Sequence, residues 1–117
     1  MNEIEKNRKE ALIRLLIDQN ALDADRDDAA MDLGEEFDDK FVLDALIQIA
    51  SNPNEIGMIL SSCGEAIGKI WMKKKFFDEK IYHALCGTAR HGIYIVINYT
   101  KPEWIEQHRL EKDDFSD

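Results

Sequence analysis

Three histidines and two cysteines are the side chains here that could move protons or attack an electrophile near neutral pH. His83 and Cys86 stand one helical turn apart, the spacing at which an imidazole can take the proton of a thiol. The surrounding pattern predicts that both lie within one helix, with no third group to orient the imidazole and no helix end to open a cleft. Packing is the stronger reading of the pair. As metal ligands, His83, Cys86 and His91 lack the second CxxC or HxxxH that would complete a set. Nucleotide-binding glycine loops and the GxSxG elbow are absent from the sequence, and so is a DxDxDG calcium loop with its twelfth-position glutamate. No catalytic residue, metal or cofactor is expected.

Carboxylates are the conspicuous chemistry. Ten acids crowd between Asp18 and Asp39, with Arg26 as the lone base among them. A glycosidase would hold two carboxylates across a cleft; these run along one segment. On a helix over 22–36, Asp25, Asp28, Asp32 and Glu35 share a face, and Glu36, Asp38 and Asp39 extend it. Like-charge neighbours at these spacings each weaken a helix by a few tenths of a kcal/mol. Two readings compete. Acids are a common solvated face, or the seven form a surface for a basic partner. The net charge of −9 sharpens the question: residues 1–59 hold 15 acids against 6 bases, and residues 60–117 hold 9 of each. Such a surface repels nucleic acid and anionic membranes, so direct contact with either is not expected.

The elements that must position these groups are helices. Apolar residues recur at helical spacing over 3–18 (Ile4, Ala11, Leu12, Leu15, Leu16) and 22–37 (Leu22, Ala29, Ala30, Leu33, Phe37). A third helix buries Phe41, Val42, Ala45, Leu46 and Ile49, and Ser51-Asn52-Pro53-Asn54 ends it. The clearest stripe, over 55–73, is Ile56, Ile59, Leu60, Cys63, Ile67, Ile70 and Trp71. Gly57, Gly64 and Gly68 in that helix predict a close neighbouring backbone. A fifth helix begins at Phe77 and runs on through Ile93–Ile97. That stretch is β-prone in composition but has no partner strand. Thr100-Lys101-Pro102-Glu103 has the form of a capping box opening a short last helix.

FDDK at Phe37 and FDEK at Phe77 echo each other, each followed by Ala-Leu and a further alanine, which suggests a helix-pair repeat of about 40 residues. The expected fold is all-α, five or six helices in antiparallel pairs forming a HEAT-like right-handed stack. One domain should span 1–110, with a loose acidic tail over 111–117. Cys63 and Cys86 are expected as buried reduced thiols. With no long apolar run and no secretory h-region, the expected setting is the cytoplasm.

Residues 43–71, LDALIQIASNPNEIGMILSSCGEAIGKIW, followed by FFDEKIYHALCGTARHGI, resemble small helical immunity proteins of bacterial contact-dependent growth inhibition systems. Ser62-Cys63-Gly64-Glu65 and Trp71 carry most of the likeness. The resemblance implies a HEAT-like fold and a cytoplasmic antidote. Its partner would be the C-terminal toxin domain of a cognate delivery protein, often a basic nuclease that cuts RNA or tRNA, and a host factor could join through the toxin. These motifs are packing residues and assign no contact to a toxin. A HEAT-like adaptor for a basic protein or peptide is the alternative, and an enzyme using His83 or Cys86 is the third reading.

Overall fold

The computed structural model describes residues 2–112 and 115, and among these it contains helices and no strand. The helices are α1 (Glu3–Ile17), α2 (Asp23–Glu36), α3 (Lys40–Ala50), α4 (Gly57–Lys74), α5 (Glu79–Ala84), α6 (Gly87–Thr100) and α7 (Glu103–Gln107). Asn2, Asp39 and Asp78 cap α1, α3 and α5, each accepting a backbone N–H from three residues ahead. The two aspartate caps are 39 residues apart, while the buried Phe37 and Phe77 before them are 40 apart. The echo seen in the sequence therefore slips by one residue at the helix start. Residues 113, 114, 116 and 117, to which most of the expected loose tail belongs, lie outside the described residues.

Among the described residues seven helices replace the expected five or six, because the fifth one breaks. Leu85 and Cys86 are extended, and Cys86 becomes the cap of a new helix, α6. The break is held on both sides: Cys86 N donates to Ala50 O at 3.1 Å, and Arg90 Nη1 donates to Leu85 O at 2.5 Å. Past the break, Ile93–Ile97 is helical. The Thr100 capping box does not form. Thr100 ends α6, with its hydroxyl bonded to Val96 O, and Pro102 precedes α7 without a side-chain cap.

α4 is the central helix, packed between α2 and α6 and against α3; α1 lies on α2 and α7 on α6. Ile59, Leu60, Cys63, Ile67, Ile70 and Trp71 are buried as the stripe predicts, but Ile56 is 41% exposed. Ile4, Leu22 and Phe41 are exposed as well. All four sit at a helix cap or in a first turn, where side chains lean back toward the N-terminus and reach past their neighbours. Glycines fix the spacing of α4 and α6. A Cβ on Gly64 would stand 2.0 Å from Ala89 O, and one on Gly92 would stand 2.4 Å from Ser61 O. Gly68 meets Val96 and Ile93, whereas Gly57 faces open space and has no such role.

Candidate partner-binding site

The acidic segment folds as α2, and what α2 buries decides what it presents. Arg26, Ala29, Ala30, Leu33 and Gly34 form its buried side. Arg26 is 2% exposed. Its Nη1 and Nη2 donate to the two Glu55 oxygens at 3.0 and 2.7 Å, and its Nε donates to Leu16 O at 2.8 Å. The bonds from Arg26 hold the Glu55 carboxyl below its ordinary pKa against the cost of burial, helped by the Ile56 N–H. Glu55 in turn holds Arg26 charged. The base that the sequence places among ten acids therefore belongs to the core. It ties the end of α1, the start of α2 and the α3–α4 loop together.

With that side inward, the acids divide into two groups. Toward the C-terminal end of α2 they are paired. Arg8 of α1 makes two bonds to Glu36, at 2.7 and 2.5 Å, and lies 3.5 Å from Asp32. Lys69 of α4 pairs with Glu35, and Lys9 of α1 reaches Asp39 at 2.6 Å. Asp39 also uses its other oxygen as the α3 cap. The ion pairs with Lys69 and Arg8 lower the pKa of Glu35 and Glu36 respectively. Lys73 closes the end of α2 by donating to the carbonyls of Gly34, Glu35 and Phe37 at 2.7–3.1 Å. It supplies the C-terminal cation that α2 lacks in its own last turn.

The N-terminal end differs. Asp25 and Asp28 are exposed and make no ion pair among the described residues, and neither does Asp38 beyond the helix. Asp25 lies in the first turn, where the helix dipole favours a carboxylate. Asp27 accepts from the Ser62 hydroxyl and so faces α4. Around the two free acids stand exposed Leu22 and Met31. Of the seven acids singled out by the sequence, four thus have intramolecular partners and three do not. Bases from α1 and α4 thus meet the acids at the C-terminal end of α2, while Asp25 and Asp28 keep no such partner among the described residues.

The chemistry-bearing pair of the sequence is also relocated. His83 is exposed in the last turn of α5, and Cys86 is buried at the α6 cap, so a helix break separates them. Cys63 is fully buried in α4, and burial first, then the charge of Glu55, pushes its thiol up to about 12. Among the described residues no group of three or more His, Cys, Asp or Glu is placed to hold a metal ion, and no helix is long and apolar enough to cross a membrane. In the second half of the sequence, Trp104 is buried and Lys73 is occupied by α2, so neither is a free surface group.

No protein-family model, curated protein or solved structure matches the chain.

Proposed function

We propose that the chain is an immunity protein that binds the toxin domain of a cognate contact-dependent growth inhibition effector and covers the basic surface with which that nuclease holds RNA. The observation that supports this most is the division of charge along α2. The bases that α1 and α4 contribute meet Asp32, Glu35, Glu36 and Asp39, while Asp25 and Asp28 remain exposed and uncompensated beside Leu22 and Met31. A nuclease must present lysines and arginines to phosphate, and carboxylates on a rigid helix can meet those groups in place of the nucleic acid. Exposed apolar side chains next to them exclude water from the pairs, which is where charged contacts contribute most to affinity. Asp25 and Asp28 form the centre of the binding face in this reading, with Asp38 and the four paired acids at its rim.

The fold is read as a short HEAT-like right-handed stack in which α2, α4 and α6 are successive helices of one layer. The position of α4 between α2 and α6, and the Asp39 and Asp78 caps at a near-repeat interval, favour it. The antidote acts in the cytoplasm, without catalysis, cofactor or metal, and a host factor could join through the toxin. The test is co-expression with the C-terminal domain of a large secreted protein encoded directly upstream. Survival of the cells and a stable purified complex support the proposal. A toxin domain that kills in the presence of the folded chain and does not co-purify with it rules the proposal out.

A further inference from the structure

Exposed apolar side chains gather at the end of the molecule where Arg26 is buried. Ile17, Leu22, Ile56 and Met58 are each between 41% and 72% exposed, and they come from three separate parts of the chain. Arg26 brings these parts together. Its backbone N–H bonds to Leu22 O, its Nε to Leu16 O beside Ile17, and its two Nη atoms to Glu55, whose Oε1 also accepts the Ile56 N–H. Asp27 bonds Ser62 and Glu35 pairs with Lys69, so α2 and α4 run in the same direction with their first turns at this end. One turn before Asp27 and Ser62 stand Asp23 and Met58. Fully satisfied buried polar networks rigidify what they join, so the four apolar side chains sit on a fixed platform. Apolar exposure that is clustered, rather than scattered singly, marks a contact surface.

We propose that this end of the molecule holds a basic protein segment carrying an apolar anchor, with Ile56 and Met58 gripping the anchor and the acids around them meeting its flanking lysines or arginines. The inference rests on the proposed function and adds a contact outside α2, from the α3–α4 loop and the start of α4. Charge commits the surface to this occupant. Asp18, Asp23 and Asp25 make no ion pair among the described residues. Asp18 accepts the Asn20 N–H, and Asp23 helps hold charged an Arg26 that Glu55 already engages. A second copy docked patch to patch would set these three acids against themselves, because a two-fold contact uses the same surface twice. Acids steer association, whereas desolvated apolar anchors govern dissociation.

The experiment compares the full chain with its Ile56→Ser/Met58→Ser variant. Both side chains are exposed and serine is a favoured helix cap, so the variant keeps its fold. Against the upstream-encoded toxin domain, the variant should dissociate about tenfold or more faster, with association and its salt dependence unchanged. The second arm needs no toxin: an amphipathic leucine/lysine peptide of about 15 residues is titrated into isotope-labelled chain. It should shift the signals of Ile17, Leu22, Ile56 and Met58, lose that effect in the variant, and have no leucine/glutamate counterpart. A toxin domain that fails to bind, beside a peptide that docks at these residues, removes the toxin and leaves this surface standing. A toxin complex that the variant dissociates from at the wild-type rate overturns the surface and leaves the toxin standing. Peptide shifts centred on Phe41, Phe76 or Ile95 also overturn it, and so does wild-type self-association in sedimentation that the variant abolishes.

Discussion

Arg26 and Glu55, 29 residues apart, close a two-pronged ion pair with 2% and 1% of their side chains exposed. The third donor of the guanidinium, Nε, is satisfied by Leu16 O, and Glu55 accepts a backbone N–H from Ile56. Every strong polar group at this site therefore has a partner, which is the condition under which a buried pair is tolerated.

Removing one partner should leave the other charged and buried. Arg26→Met or Glu55→Leu alone is expected to cost about 3–5 kcal/mol in urea unfolding, and the double variant far less than the sum. The pH dependence follows from Glu55. Its pKa in the folded chain lies below the ordinary 4.5, so its stabilisation is complete above that pH and is lost as pH falls through the lower folded value. Urea midpoints should drop on acidification below about pH 4.5, and less so in Glu55→Gln. An equally steep drop in Glu55→Gln would assign acid sensitivity elsewhere.

Gly64→Ala should force α4 and α6 apart, since the new methyl would lie 2.0 Å from Ala89 O, a backbone atom that cannot rotate away. A loss of at least about 1–3 kcal/mol is expected. Gly57→Ala is the control: nothing lies within 4 Å of the added atom, and it should stabilise by up to about 1 kcal/mol. Equal effects of the two variants in urea titrations would contradict the packing described for α4.

Cys63 should resist thiol reagents while the chain is folded, because it is fully buried and its thiol is pushed up to about 12. Labelling followed by mass spectrometry should show modification of Cys63 only as fast as the chain unfolds. Rapid labelling in the native state would mean that the α4 stripe is not closed.

What was legible in the sequence was the helical period. It located the core of α4 and the close approach at Gly64. It overran at helix starts, where Ile4, Leu22, Phe41 and Ile56 continue a stripe but have no neighbour to cover them. The break at Leu85 was hidden because Cys86 and Gly87 continue an apolar run with no proline, and the bonds that fix it come from Ala50 and Arg90. Arg26 was a missed signal. It precedes Ala29, Ala30 and Leu33 by three, four and seven residues, so the period itself puts it on the buried side. Its partner Glu55, 29 residues on, is too distant in sequence to be paired with it by inspection. The candidate site was legible as a cluster of acids and no further. Which acids are compensated depends on Arg8, Lys9 and Lys69, brought in from α1 and α4.

The proposal that the α2 face binds a basic toxin rests most on Asp25 and Asp28. The direct measurement is calorimetric and stopped-flow binding of the full chain to the upstream-encoded toxin domain, for wild type and the Asp25→Lys/Asp28→Lys variant. Urea titrations on the same samples establish that the variant is folded. Wild-type association should slow between 0.1 and 1 M salt, as the Debye length shrinks from about 10 to 3 Å. The double reversal should weaken binding by about 2–5 kcal/mol if the pairs are desolvated in the complex. A folded double-reversal variant that binds the toxin domain as tightly and as fast as wild type at physiological salt would show that the acidic face of α2 is not the interface.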